Sequence, residues 1–265
     1  MKNILQNWAS VQNRISKATL IDLFLDFDGT IAPIESTPEK AILPSAVRTI
    51  LISLHKTGRC RVSVVSGRTL SDVGQMVNIE GLYYAGNHGF EIAGPNLKFK
   101  YRLSKEQKES LQELFNGLQK SLRGISGILI EDKKYSLSIH YRLVNSSEAA
   151  YIRKAVKELA GSYPSVKLTR GKMVLEVRPK VEWNKGDAVE TVRQNFRKKG
   201  LPIYVGDDET DEDAFRKLSK GITVRVGRSK ASVARYYING NLQVYVLLER
   251  ILMILEKCRL AIRAE

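Results

Sequence analysis

An apolar run that stops on acids constrains this chain more than any other feature. In IDLFLDFDGT, Ile21 to Thr30, the consecutive Leu23, Phe24 and Leu25 leave no polar face, which fits a strand covered on both sides in a parallel sheet. Asp28-Gly29 is a common turn dipeptide, so on one reading the strand simply enters a turn. A second reading starts from the rule that open α/β sheets bind ligands beyond the carboxyl ends of their strands. Asp26 and Asp28 would then project the same way, as a divalent metal site needs, or a nucleophile with an acid/base partner beside it.

The order of elements supports an open sheet. After the first strand, PSAVRTILISLHKTG (Pro44 to Gly58) predicts a helix, with proline near its start and glycine past its end, and RVSVVSG a second strand. LSDVGQMV predicts a short helix and GLYYAGNHGFEI (Gly81 to Ile92) a third strand leading to a hairpin. This βαβαβ order predicts an α/β fold with a doubly wound, Rossmann-like core.

From about Leu103 the pattern changes. A helix (Lys105 to Leu122), the strands GILIEDKK and YSLSIHYR, a helix (Ser147 to Leu159) and the strands SVKLTRG and MVLEVRP form an αββαββ block. Such a block predicts an α+β unit with an antiparallel sheet. Alternation then resumes with a helix (Asp187 to Arg197), the strand LPIYVGDD, a helix (Asp211 to Leu218), the strand GITVRVG and a C-terminal helix from Gln243. The block is therefore expected as an insertion at 103–180, between core segments 1–102 and 181–265.

Composition excludes several classes. With 43% hydrophobic and 27% charged residues a folded, soluble chain is expected. No apolar run approaches the ~20 residues that cross a bilayer. The first twenty residues predict a short amphipathic helix rather than a signal peptide, which makes cytoplasm the expected compartment and no membrane the expected partner. Cys60 and Cys258 are too few for a disulfide framework and are expected as buried or idle thiols. His55, His88 and His140 lack zinc-motif spacing. The net charge of +15 raises nucleic acid or another polyanion as a partner. Yet the basic residues are spread along the chain without an aromatic-interleaved stripe, so no nucleic-acid partner is expected.

Three more polar constellations fall at strand ends or helix starts. In VVSGR, Ser66 and the following main-chain N–H groups could hold a phosphoryl oxygen. Lys185, in WNKGDAV, is either a solvated charge or a neutraliser of phosphoryl oxygens. YVGDDETDEDAF follows an apolar strand with Asp207, Asp208, Glu209, Asp211, Glu212 and Asp213. Thr210 as a cap and the helix dipole explain the later acids better than Asp207 and Asp208. Carboxylates so crowded repel one another unless a cation is present, and hard oxygen ligands suggest magnesium.

These residues resemble the haloacid dehalogenase (HAD) superfamily of phosphotransferases. Asp26-Phe27-Asp28-Gly29-Thr30, Ser66, Lys185 and Gly206-Asp207-Asp208 match its four motifs in order, and the long gap between Ser66 and Lys185 is where that superfamily inserts a cap. AGNHGFE, EDKKYSLSIHYR, LEVRP, WNKGDAV and GDDETDEDAF further resemble the trehalose-6-phosphate phosphatases. The resemblance implies Asp26 as nucleophile and Asp28 as proton shuttle. It implies Ser66 and Lys185 on phosphoryl oxygens, with Arg68, Asn87 and His88 lining the approach. Mg2+ would take Asp26, the Asp28 carbonyl and Asp207, with Asp208 or Asp211 acting directly or through water. Glu131, Lys133 and Glu176 would read the sugar, although EDKK alone fits a polar hairpin turn. Arg142 is expected to brace the cap through an ion pair. The implied substrate is a small sugar phosphate, turned over by a monomer paired in function with a trehalose-6-phosphate synthase. Alternatives are another sugar phosphate, such as sucrose phosphate or a glycosylglycerol phosphate, or a polyanion-binding module on a degraded site.

Overall fold

The computed structural model describes residues 1–264, with side chains to residue 257. Two compact units are present: one comprises Met1–Glu35, Lys40–Lys100 and the chain from Trp183 onward, the other Ser36–Glu39 and Tyr101–Glu182. The first unit opens with β1 (Lys2–Asn3), α1 (Trp8–Lys17), β2 (Ile21–Leu25), α2 (Ser45–Lys56), β3 (Cys60–Val65), α3 (Leu70–Val77), β4 (Tyr83–Gly86), β5 (Glu91–Gly94) and β6 (Leu97–Lys100). The second contributes α4 (Lys105–Ser121), β7 (Leu129–Asp132), β8 (Leu137–His140), α5 (Ser146–Gly161), β9 (Val166–Gly171) and β10 (Val174–Pro179). The first resumes with α6 (Lys185–Gln194), β11 (Leu201–Gly206), α7 (Asp211–Lys217), β12 (Ile222–Val226), β13 (Tyr236–Ile238) and α8 (Asn241–Ala264).

The first unit is one nine-stranded sheet in the order β1-β13-β12-β11-β2-β3-β4-β5-β6. Pairing is parallel from β1 to β4 and antiparallel across β4-β5-β6. The doubly wound parallel core that the sequence predicts is thus present. Both sheet faces are buried, which is why Leu23–Leu25 of β2 and Ile203–Val205 of β11 run apolar without alternation. Leu23, Leu25, Val62, Val64, Ile203 and Val205 pack on one side with residues of α1, α2 and α8. Phe24, Val65 and Tyr204 pack on the other with Ala188, Val189 and Val192 of α6 and Phe215 of α7. From β2 the chain runs on to β3 and β4, while the later segment builds β11, β12 and β13 on the other side. The boundary between β2 and β11 is therefore the switch point, where such sheets place their ligands.

Local differences from the sequence reading have local causes. Helix α6 starts at Lys185 rather than Asp187 because Asn184 caps it. The Asn184 side-chain oxygen accepts from the N–H of Gly186 and Asp187, and the Asp187 carboxylate accepts from the Asn184 N–H. The same helix ends at Gln194, short of Arg197, and α8 begins at Asn241 rather than Gln243. Strands β1 and β13 pair in parallel at one sheet edge, a contact that segments of two and three residues do not announce in a sequence.

The second unit is a four-stranded antiparallel sheet, β7-β8-β10-β9. Leu137, Ile139, Leu175 and Val177 share one parity and are buried, as are Leu114 and Leu118 of α4 and Ile152 and Val156 of α5, helices that contact β10. Glu131, Ser138, His140 and Glu176 have the opposite parity. Arg142, expected in an ion pair, instead donates to the carbonyl of Lys172 at 2.7 Å, a turn-to-turn tie between main chain and guanidinium. Cys60 is buried and free, whereas the Cys258 side chain lies outside the described residues. Among the described residues no helix is long and apolar enough to cross a membrane.

Candidate active site

Four adjacent parallel strands, β11, β2, β3 and β4, end on Asp207, Asp26, Ser66 and Asn87-His88. Each polar residue comes directly after its strand, so parallel pairing gathers them at one sheet edge. The Asp26 N–H donates to Val205 O at 2.9 Å, which continues the ladder to the first acid and fixes its direction. The turn that follows is tight: the N–H groups of Thr30, Ile31 and Ala32 all reach Phe27 O. Gly29 has φ +77°, and a Cβ there would strike the Asp207 carboxylate, so only glycine allows the two acidic loops to approach.

Asp26 is buried and its carboxylate is held at both oxygens. Lys185 Nζ donates to Oδ1 at 2.7 Å and the Thr30 hydroxyl to Oδ2 at 3.2 Å. The same ammonium reaches Asp211 Oδ1 at 2.7 Å. Lys185 has 2% of its side chain exposed and Asp211 none, so the lysine is no solvated charge. Asp211 Oδ1 also accepts from the Tyr204 hydroxyl at 2.7 Å, and Oδ2 from the Asp208 N–H at 2.9 Å. Behind this loop Arg225 donates to the Asp208 carbonyl at 3.1 Å and to Glu212 at 2.8 Å, and Glu212 accepts the Val233 N–H.

Burial lifts the Asp26 carboxyl well above the ordinary carboxylate range. Lys185 opposes that shift, while Asp211 and Asp207 add to it by like-charge repulsion. Burial alone would lower the Lys185 ammonium, yet Asp211 and Asp26 hold it above its usual range. Burial, then Asp211 and Asp26, push the Tyr204 phenol up as well, which keeps it a neutral donor. Asp26, Asp207 and Asp211 present oxygens all within 4.8 Å of one another. Such a set fits a small hard cation, whose charge would relieve the repulsion that raises the Asp26 carboxyl. Asp208 is outside that trio.

On the other side of Asp26, Arg68 forks onto Asp28 with two contacts of 2.7 Å and lies 5.3 Å from the Phe27 ring centroid. Arg68, read from the sequence as a substrate contact, is thus also the orienting partner of Asp28. Ser66 is buried, and its Oγ accepts from the Arg68 N–H at 3.1 Å. Asn87 and His88 adopt left-handed φ of 51° and 55° while buried, a costly conformation for adjacent non-glycine residues. Main-chain bonds from Asn87 N to Arg68 O and from His88 N to Ser66 O lock them to the β3 turn. A Cβ on Gly67 would lie 2.7 Å from the His88 ring, so the glycine leaves room for the imidazole.

Glu131, Lys133 and Glu176 gather within the second unit. Lys133 Nζ lies 3.7 Å from Glu131 and 4.0 Å from Glu176. The EDKK segment is also the hairpin turn that its composition suggests, with Lys134 at φ 67°. Tyr204 and Arg225 carry no separate signal in the sequence: Tyr204 reads as core within IYVGDD, and Arg225 declares itself only through its contacts, whereas Thr30 closes the motif that begins at Asp26.

The sequence pattern of the family described as Trehalose-phosphatase matches residues 24–245. A probable trehalose-phosphate phosphatase 3 of Oryza sativa subsp. japonica is 31% identical over 93% of this chain and 73% of its own length. Trehalose-phosphate phosphatase B of Arabidopsis thaliana is 32% identical over 89% and 67%. In fold, the chain resembles the C. albicans trehalose-6-phosphate phosphatase C-terminal domain, with TM-score 0.80 at 22% identity over 94% of this chain and 97% of that one. The Aspergillus fumigatus trehalose-6-phosphate phosphatase follows with TM-score 0.62 at 27% identity over 97% and 100%. Since the matched span takes in the acidic ends of β2 and β11, the Ser66 turn and Lys185, pattern and geometry agree, and the chain belongs to the trehalose-phosphatase family.

Proposed function

We propose that this chain is a magnesium-dependent phosphatase that hydrolyses trehalose 6-phosphate to trehalose and phosphate. One observation carries the chemistry: a buried carboxylate at the switch point, Asp26, shares one ammonium with Asp211 and lies in a trio of carboxylates with Asp207. Family membership carries the substrate.

In this reading Asp26 attacks phosphorus in line, forming an aspartyl-phosphate as the bond to the sugar oxygen breaks. Asp28 gives a proton to the departing oxygen and later takes one from the water that hydrolyses the phosphoenzyme. To do so its carboxyl must leave the Arg68 fork, which makes Arg68 the group that parks and returns it. Ser66, Lys185 and the turn N–H groups hold phosphoryl oxygens, with Arg68, Asn87 and His88 along the approach. Asp26, the Asp28 carbonyl and Asp207, with Asp211 or Asp208 directly or through water, would hold a magnesium ion, whose charge would offset repulsion between nucleophile and phosphate dianion.

The second unit acts as the cap, and Glu131, Lys133 and Glu176 read the sugar. Carboxylates accept from paired hydroxyls and the ammonium donates to them, which suits discrimination among polyols. The test is phosphate release from a panel of sugar phosphates with magnesium, with Asp26→Asn as control. Preference for trehalose 6-phosphate, lost in the variant, is expected. Preference for sucrose phosphate or another sugar phosphate would keep the chemistry and replace the substrate; no magnesium-dependent release at all would overturn the reading.

A further inference from the structure

The polar face of the second unit's sheet holds a contact that sugar reading by Glu131, Lys133 and Glu176 does not explain. Cross-strand pairing sets Glu131 of β7 against Ser138 of β8, and Ser138 against Glu176 of β10. His140, two residues along β8, shares their parity and meets Glu131 on the diagonal. Its Nε2 lies 2.6 Å from Glu131 Oε2, and the Ser138 hydroxyl lies 3.3 Å from Glu176 Oε1. An ionised carboxylate only accepts, so Nε2 carries the proton and donates. Strand β8 thus supplies one directional donor to each of two carboxylates.

We propose that His140 is a positioning residue for sugar recognition: it holds Oε2 of Glu131 and thereby sets the orientation in which that carboxylate receives sugar hydroxyls. The inference rests on the reading of Glu131 as a sugar contact. Strand β7 is an edge strand that pairs with β8. Lys133 Nζ, at 3.7 Å from the same oxygen, adds charge but stands beyond hydrogen-bond length and gives no direction. A glutamate left to rotate must lose its rotamer freedom when substrate arrives, whereas one already fixed does not. Imidazole has two torsions against three in glutamate, and His140 is three-quarters covered, with 24% of its side chain exposed. It is the more rigid partner of the two.

The test measures KM and kcat for trehalose 6-phosphate in His140→Leu, His140→Asn and His140→Gln, with thermal unfolding to verify folding. Glutamine can place its amide nitrogen where Nε2 lies; asparagine is polar but too short, and leucine fills the space without a donor. We expect KM to rise about tenfold in H140L and H140N, with kcat lowered less than about threefold, and H140Q to restore KM to within about threefold of the parent chain. H140N replaces H140L if the latter fails to fold. A KM unchanged in both H140L and H140N, or an H140Q no better than H140N, overturns the assignment. A parent chain that releases phosphate from other sugar phosphates but not from this one overturns the functional reading first, and the assignment with it.

Discussion

Two clusters of opposite charge differ in burial, one holding the groups to which we assign the chemistry and the other those to which we assign selection. In the first unit Asp26, Lys185 and Asp211 have side chains 7%, 2% and 0% exposed. In the second Glu131, Lys133, Glu176 and His140 have 27%, 12%, 12% and 24%. Deep burial makes each charge depend on its neighbours, because an unpaired ion there is expensive. Partial exposure lets water share the load, so single changes in the second cluster should leave the fold intact. The buried cluster is also over-acidic, with three carboxylates against one ammonium among the groups that meet there.

The largest expected effect breaks the first cluster at Asp26, the nucleophile we propose. Asp26→Asn should lower kcat for phosphate release by on the order of 10^4-fold or more, while leaving the melting temperature unchanged or higher. The rise follows because one of the repelling carboxylates becomes neutral while Lys185 keeps Asp211. A variant that loses activity only by unfolding would defeat the claim that chemistry and stability conflict at this residue.

Lys185→Met probes the same cluster from the other side. It leaves Asp26 and Asp211 buried without their shared cation, and should cost about 3–5 kcal/mol by chemical denaturation at pH 7. The sign with pH follows from the raised Asp26 carboxyl. A group whose folded pKa is raised contributes its full stability below the unfolded value, about 3.9, and loses it as pH rises through the folded value. Without Lys185 that loss deepens, so the variant should regain stability relative to the parent chain as pH falls from 7 towards 5. A deficit that is flat with pH would mean that lost packing, rather than unpaired charge, is responsible.

In the second cluster the expected effects are smaller and of another kind. Glu176→Gln should raise KM for trehalose 6-phosphate about tenfold and shift stability by no more than about 1 kcal/mol. A loss of several kcal/mol would place this cluster in the same class as the first and cancel the contrast.

Much of the first unit was legible because its physics is periodic. Short apolar runs, each stopping on a polar residue and alternating with helices, predict both a parallel sheet and the edge at which its functional groups gather. What escaped was pairing through space. Tyr204 sits inside an apolar strand, and only the fold directs its hydroxyl to Asp211. The fork of Arg68 on Asp28 links two loops forty residues apart in sequence, and spacing alone does not predict it. Arg142 suggests a charged partner because it is charged, whereas the turn beside it offers a carbonyl. Strands β1 and β13 were too short for any period to form.

Cys60 sharpens the comparison from a third position, as a buried ionisable group in the same sheet whose neighbouring cation, Arg61, is engaged by Asp22. Burial, reinforced by the Asp22 carboxylate and only partly opposed by Arg61, pushes its thiol well above the ordinary range. The folded pKa is raised, so its contribution is complete below the unfolded value of about 8.5 and is lost as pH climbs above it. The chain should therefore lose about 1.4 kcal/mol per pH unit above that point relative to Cys60→Ala, where no thiol can ionise. Urea denaturation of both proteins at pH 7.5 and 9.5 reads the difference directly. Parallel losses in the two would mean that the thiol ionises in place, as an acid does only where a cation or water answers it, and the rule that burial penalises an ion without such an answer would fail at the simplest site in the sheet.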